Sequence, residues 1–184
     1  MSLLLEWNKK VNLISRRDTT NVFEKHVLPI LPLVECAEER SCFGEARDVL
    51  DVGTGGGIPG IPLAIAFPNI AFTLLDSIRK KTVAVAAIVK ELELSNVRVA
   101  CERLECLVEK YDICVGRGVT AFECFVVATD KHLKPHGSVF YWSGGDTKGL
   151  VPISLSRRTR VTDLEAFFHG QYALTKKLLW YQKR

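Results

Sequence analysis

Ten consecutive residues, Asp51-Val52-Gly53-Thr54-Gly55-Gly56-Gly57-Ile58-Pro59-Gly60, hold the groups best suited to chemistry in this 184-residue chain. Just before and into them, Val49-Leu50-Asp51-Val52 carries the apolar, β-branched pattern of a strand covered on both faces. Just after, Pro59 and Pro62 fit a first helical turn, where backbone N–H groups have no intrahelical partner to lose. The stretch therefore predicts a strand, a tight glycine turn and a helix. Such a turn lets a ligand approach bare backbone, and its N–H groups favour a negatively charged ligand group.

Two cofactor readings fit the turn, in different frames. Gly55, Gly57 and Gly60 satisfy G-x-G-x-x-G, the dinucleotide fingerprint. Gly53, Gly55 and Gly57, preceded by Asp51, satisfy the acidic-x-G-x-G-x-G pattern of S-adenosylmethionine (SAM) methyltransferases. Charge favours the second. A dinucleotide sets a pyrophosphate against the turn, where a carboxylate two residues before the first glycine repels it. SAM carries a sulfonium and an ammonium beside a single carboxylate, so the loop can use both its N–H groups and its acid. A bare structural turn with no ligand is the remaining alternative, and three alternating glycines cost it backbone entropy.

In a parallel sheet, ligands bind at the carboxyl ends of the strands near the switch in strand order. Asp76 lies at the end of the second predicted strand, 19 residues beyond Gly57, about the interval at which an acid accepts the ribose hydroxyls. It also suits the N-cap of the following helix. Glu105, after the third strand, can accept from an adenine amino group with Leu104 packed on the ring. Arg117, after Val115-Gly116, suits a methionine carboxylate, an RNA phosphate, or simply solvent. No Asp/Asn-Pro-Pro-aromatic motif follows the fourth strand, which disfavours exocyclic amines as acceptors, and no Pro-Cys pair is present to activate a pyrimidine C5. Ring nitrogens with a free lone pair remain, guanine N7 among them. That acceptor needs no general base, so no side chain is assigned as a catalyst.

The elements that position these groups alternate strand and helix from Arg47 onward. Strands are expected at 49–52, 70–75, 97–101, 111–115 and 138–142. Helices are expected from Arg79, with Val85, Ile88, Val89 and Leu92 on one stripe, and over 122–133, stopped by Pro135 and Gly137. Runs at 161–168 and 172–181 around His169-Gly170-Gln171 predict an antiparallel pair that closes the sheet. Near the start, Leu3, Leu4, Trp7 and Val11 have helical spacing over 3–13. Asp18-Thr19-Thr20 offers caps for a second helix through Val22, Phe23, His26, Val27 and Ile30, with His26 read as a partly buried helix residue rather than a catalyst. The reading is one domain, residues 1–184, of α/β Rossmann-like class. Residues 1–45 form a small helical cap over a core at 46–184 whose sheet is mostly parallel.

Hydrophobic content of 47% and charged content of 25% are those of an ordinary globular chain. Met1 to Leu5 is too short for a secretory apolar region, Glu6 ends it, and no apolar run approaches a membrane span, so a soluble, cytoplasmic protein is expected. A monomer is the expected state, although the sequence does not fix it. Cys36, Cys42, Cys101, Cys106, Cys114 and Cys124 form no C-x-x-C and read as reduced thiols in core positions. Cys124, His132 and His136 lack a second cysteine at ligand spacing, so no metal is expected. Charge is uneven. Residues 1–130 carry 15 Lys+Arg against 18 Asp+Glu, whereas residues 131–184 carry 10 against 3. The basic surplus, Lys131/Lys134, Arg157-Arg158/Arg160, Lys176-Lys177 and Lys183-Arg184, suits either an RNA partner or a solvated face.

Five segments together resemble the bacterial small-subunit ribosomal RNA guanine-N7 methyltransferases, also called the glucose-inhibited division protein B family. They are Trp7-Asn8-Lys9-Lys10-Val11-Asn12-Leu13, the run from Leu50 to Leu63, Leu74-Leu75-Asp76-Ser77, Arg103-Leu104-Glu105, and Tyr111-Asp112 through Arg117. The resemblance implies a SAM-dependent methyltransferase fold and a SAM site at Gly53, Ile58, Leu104, Glu105 and Arg117, to which Thr54, Gly55, Gly57 and Asp76 are added from the loop and ribose arguments. It also implies N7 methylation of one guanosine in 16S rRNA, as free RNA or in the small subunit. Two departures stand out: Ser143-Gly144 occupies the place of the family's Lys-Gly after the fifth strand, and the N-terminal part is short for the family. The rival readings are a methyltransferase of small molecules or proteins and a nucleotide-binding module without catalysis.

Overall fold

The computed structural model describes residues 1–15, 18–34, 43, 46–144, 151–167 and 176–184. Seven strands make one sheet: β1 (Asp48–Val52), β2 (Ala71–Leu75), β3 (Val97–Ala100), β4 (Tyr111–Arg117), β5 (Leu133–Gly144), β6 (Thr159–Asp163) and β7 (Lys176–Gln182). Their order is β3-β2-β1-β4-β5-β7-β6. The first five are mutually parallel, and β7 lies antiparallel between β5 and β6. An antiparallel closing pair is therefore present, but its first strand spans Thr159–Asp163 and not 161–168, because a 3-10 turn at Leu164–Ala166 buries Leu164 and ends it; the turn expected at His169-Gly170-Gln171 lies outside the described residues, as do Cys36 and Cys42.

The central strands are apolar on both faces because both faces are covered. Val49, Phe72, Leu74, Ile113 and Val115 point into one core, shared with α2 (Gly60–Ala66), α3 (Arg79–Glu91) and the N-terminal residues Leu4, Leu13 and Ile30. Leu50, Val52, Leu75, Cys114 and Val139 point into the other, against Phe122, Phe125 and Val126 of α4 (Phe122–Asp130). Gly116 of β4 lies against α4, and the ring of Phe125 occupies the space a side chain there would need.

Several boundaries differ from the sequence expectation, each for a local reason. The first helix, α1 (Ser2–Asn8), ends at Asn8 rather than near residue 13. The Asn8 Oδ1 accepts from the N–H groups of Leu13 (2.8 Å) and Ile14 (2.9 Å), which folds the chain back and buries both side chains. The second expected helix is instead a π-type turn (Phe23–Val27), a 3-10 turn (Leu28–Ile30) and a further helical turn at 31–34. Proline at 29 removes one N–H from the middle of this segment and prevents a regular α-helix. Helix α4 stops at Asp130 and β5 already begins at Leu133, with an irregularity opposite Tyr111–Ile113 where Pro135, left-handed His136 and Gly137 occur. Leu92 sits exposed at the C-cap of α3 instead of on its buried stripe. Of the four described cysteines only Cys114 fills a core position; Cys101, Cys106 and Cys124 are free and exposed, lying just past β3, on a surface turn and on the outer side of α4.

The turn from α2 into β2 is held by Asn96. The Asn96 side-chain amide lies within donor distance of three carbonyls, Ala64 (3.0 Å), Phe67 (3.2 Å) and Ile70 (3.0 Å), where α2 ends and the chain turns into β2. Asn96→Ala leaves these carbonyls without their donor and is expected to cost roughly 1–3 kcal/mol. In urea unfolding this reads as a lower midpoint at an unchanged slope.

Candidate cofactor and substrate site

The strand order reverses direction between β1 and β4, and the glycine loop lies at the carboxyl edge of that crevice. Gly53, Gly55 and Gly57 have φ of 68°, 57° and 82°, a left-handed conformation that side chains disfavour. Gly53 is exposed, although Val119 would stand 3.0 Å from a Cβ there, and half-buried Gly55 would meet nothing nearer than 3.8 Å, so the loop presents backbone that is partly open. Its inner side is closely covered: a Cβ on Gly56 would lie 3.1 Å from Leu4 and 3.2 Å from Leu13. The N-terminal segment thus packs directly on the loop, which is the structural role of the Trp7–Leu13 motif.

Two aspartates set the shape of this loop. Asp51 has no exposed surface; its Oδ2 accepts from the Thr54 hydroxyl (2.6 Å) and the Gly60 N–H (2.9 Å). Gly60 has to lack a side chain, since a Cβ would stand 2.6 Å from that oxygen. The other oxygen, Oδ1, has no partner among the described residues. Burial raises the Asp51 carboxyl to about 6, opposed by the Thr54 and Gly60 hydrogen bonds and by the charge of Arg117. The acid was expected to be available to a ligand; the structure places it beneath the loop, where it acts on a ligand through its charge and not by contact. Thr54 likewise points inward, with its N–H donating to Leu75 O (2.9 Å). Asp76 accepts from Gly55 N–H (3.0 Å) and Ile78 N–H (2.9 Å), which joins the end of β2 to the loop. Each of its oxygens keeps one acceptor position. Ile58 is half-buried against the core.

Leu104 and Glu105 lie in a 3-10 turn beyond β3, on the same edge of the sheet as the loop. Leu104 packs on the second core, and Glu105 is exposed. Arg117 ends β4 on the other side of the crevice. Its guanidinium donates to the carbonyls of Lys25 (3.4 Å) and His26 (3.3 Å) and makes a short contact with His26 Nδ1. The Lys25 carbonyl is the one that a normal helix would have bonded to residue 29, which is Pro29 and has no N–H to give. Burial and the neighbouring Arg117 hold His26 down to about 4, so the ring is neutral at pH 7; its Nδ1 accepts from Arg117, which puts the proton on Nε2. Burial also lowers Arg117.

Between the N-terminal segment and the sheet edge, a cleft of about 470 Å³ is lined by Asp18, Lys25, His26, Arg117, Ser143 and Lys176, among others. Lys25 pairs with Asp18 at 2.6 Å. Lys176 is lowered by burial and by the charge of Arg117, and its Nζ would lie 2.8 Å from a Cβ on Gly144. A cation from β7 thus stands beside the Ser143-Gly144 pair, a placement that depends on strand register and was invisible in the sequence. Asn8 and Trp142, whose Nε1 donates to Pro29 O (2.7 Å), were also missed; both act by fixing the N-terminal segment. Among the described residues no group of three or more His, Cys, Asp or Glu could hold a metal ion, and no helix is long and apolar enough to cross a membrane.

A parallel sheet that ends in an inserted antiparallel strand, with an acidic glycine loop at its switch point, defines a Rossmann-like methyltransferase that uses SAM. Among solved structures the same fold occurs in the plantazolicin methyltransferase BpumL in complex with SAH, with a TM-score of 0.64 at 12% identity over 99% of this chain and 94% of that one. It occurs also in a T. thermophilus 16S rRNA methyltransferase in complex with AdoMet and guanosine, with a TM-score of 0.61 at 17% identity over 86% of this chain and 43% of that one. The family model GidB, rRNA small subunit methyltransferase G, matches residues 1–149. The chain is similar to the ribosomal RNA small subunit methyltransferase G of Cytophaga hutchinsonii, at 35% identity over 97% of this chain and 86% of the relative. It is similar also to that of Chlorobium limicola, at 41% identity over 85% of this chain and 70% of the relative. The chain belongs to the GidB family.

Because the folded Asp51 carboxyl titrates near 6 and an unfolded one near 3.8, the folded state holds its proton more tightly. Its contribution to stability is fully present below about pH 3.8 and is lost as pH rises through about 6, roughly 3 kcal/mol in all. The difference in unfolding free energy between the native chain and Asp51→Asn, measured at several pH values from 4 to 7.5, is expected to change in that direction and over that window.

Proposed function

We propose that this chain transfers a methyl group from SAM to N7 of a guanosine in small-subunit ribosomal RNA. The single observation that carries the proposal is the left-handed glycine loop, exposed at Gly53, partly exposed at Gly55 and underlain by the buried Asp51 carboxylate. The loop fits this donor better than a diphosphate, since a negative charge beneath it attracts a sulfonium and an ammonium and repels a pyrophosphate. Membership of a family described as rRNA small subunit methyltransferase G supports the substrate class.

In this reading the backbone of Gly53, Thr54, Gly55 and Gly57, with Ile58, cradles the methionine part, and Arg117 holds its carboxylate. The free acceptor positions of Asp76 take the ribose hydroxyls, while Leu104 packs on the adenine and Glu105 accepts from its amino group. When bound, SAM supplies a methyl group on a positively charged sulfur. The guanine N7 lone pair forms the new N–C bond as the C–S bond breaks, which leaves S-adenosylhomocysteine and a positively charged 7-methylguanosine. No proton moves, so neutral His26 in the adjacent cleft has no proton to carry. The protein contributes alignment of N7 with the methyl carbon and sulfur, and exclusion of water. The cleft bounded by His26, Arg117, Ser143 and Lys176 is where the guanosine enters.

Incubation of the protein with methyl-labelled SAM and either 30S particles or naked 16S rRNA, followed by nuclease digestion, is expected to give label in 7-methylguanosine. Label in another nucleoside would correct the acceptor atom, and no label with either substrate would overturn the proposal. Gly55→Asp fills the open side of the loop with a second negative charge and is expected to weaken SAM binding about tenfold or more in calorimetry. Arg117→Ala is expected to raise the SAM dissociation constant as well; an unchanged constant would remove Arg117 from the carboxylate site.

A further inference from the structure

The basic residues of the last third divide between two ends of the sheet. Lys176 faces the transfer edge, whereas β5 and β7 run on together from Gly144↔Lys176 to Ser138↔Gln182, about 20 Å along the strands, to the opposite edge. There, a hollow of about 570 Å³ is lined by Arg157, Arg158, Arg160, Trp180, Lys183 and Arg184, among others. Arg157 and Arg158 follow α5 (Ile153–Ser156), and the family match at residues 1–149 ends before them.

These cations differ from an ordinary solvated face in their lack of counter-charge. Lys183 is committed to Asp130 at 3.0 Å, but among the described residues Arg157, Arg158, Arg160 and Arg184 have no carboxylate within ion-pair distance. Asp163, the acid of β6, faces the other end of the strand and pairs with Lys177. Two of the guanidiniums are held in place by aromatic groups: Arg160 lies over the Trp180 ring, 5.4 Å from its centroid, and Arg158 is 3.4 Å from the Tyr181 hydroxyl. Like charges that converge on a concave surface repel one another, and an anion placed among them relieves that repulsion. Fixed guanidinium forks match phosphate oxygens in particular.

We propose that this hollow is a second rRNA contact, which takes backbone phosphates on the side of the molecule opposite the methyl-transfer cleft. The inference rests on the proposed rRNA substrate and adds to it that the RNA reaches past the β6 edge. An RNA that spans both ends engages the hollow; a fragment of a few nucleotides around the target guanosine does not.

The test uses the full chain, 16S rRNA and a salt series. In the triple variant Arg157→Glu/Arg158→Glu/Arg184→Glu, rRNA affinity is expected to fall at least tenfold near 0.1 M salt. The slope of log affinity against log salt should shrink by about 2–3, at roughly 0.7–0.9 per lost phosphate contact. KM for 16S rRNA should rise with kcat at saturation unchanged, and SAM affinity should stay that of the native chain. Arg157→Ala/Arg158→Ala, a milder exposed change, should shift the slope the same way by about 1.5 with a native unfolding midpoint. A native salt slope and KM in a folded variant would overturn the second contact while leaving the methyltransferase reading intact. Failure of the unmodified chain to bind or methylate rRNA would instead overturn the reading on which the inference rests.

Discussion

One buried carboxylate governs the site. Asp51 sits at the end of a central strand with no exposed surface, so its charge is costly unless nearby donors and cations offset it. The donors are the Thr54 hydroxyl and the Gly60 N–H, and the cation is Arg117 across the crevice. This explains a spacing that the glycines alone do not. Thr54 has to carry a short hydroxyl, Gly60 has to carry no side chain, and the turn between them has to double back far enough for both to reach one oxygen. Left-handed Gly53, Gly55 and Gly57 make that return possible. The backbone offered to a ligand is thus a consequence of how the acid below it is satisfied.

The N-terminal segment depends on the same crevice. Its irregular turn at residues 23–30 leaves carbonyls that a regular helix would have used, and Arg117 takes two of them. A neutral imidazole then serves as the third acceptor, because a protonated His26 would face the guanidinium with like charge. Arg117 is in this way held by neutral groups, which keeps its charge available to the cleft. Loss of regular helix geometry is what gives the arginine a fixed position.

The strands and the glycine loop were legible in the sequence because their signals are local: apolar runs, alternating glycines and an acid at a fixed offset. The antiparallel closure was legible for the same reason. The N-terminal helices were not, because the helical spacing of Leu3 to Val11 says nothing of Asn8, whose side chain captures Leu13 and Ile14 and ends the helix. Asp51 was legible as an acid, but its inaccessibility was not; that follows from Thr54 and the start of α2 at Gly60 closing over it. The partners of Arg117 lie 91 and 92 residues away, and the approach of Lys176 to Gly144 depends on the register of an antiparallel pair. Such contacts belong to the folded chain and leave no mark on sequence spacing. The exposed Cys101, Cys106 and Cys124 show the converse: an apolar neighbourhood in sequence did not make a core position.

The placement of β7 bears on how the molecule can be made. β7 follows β6 in the chain yet lies between β5 and β6, so β6 emerges from the ribosome before the strand with which it pairs. Until residues 176–182 follow, β5 also presents an unpaired edge, and the growing chain exposes two templates for incorrect pairing at once. The sheet is therefore closed by β7 from its interior, and a translation pause or nick shortly before residue 176 leaves a product that exposes both edges to incorrect pairing.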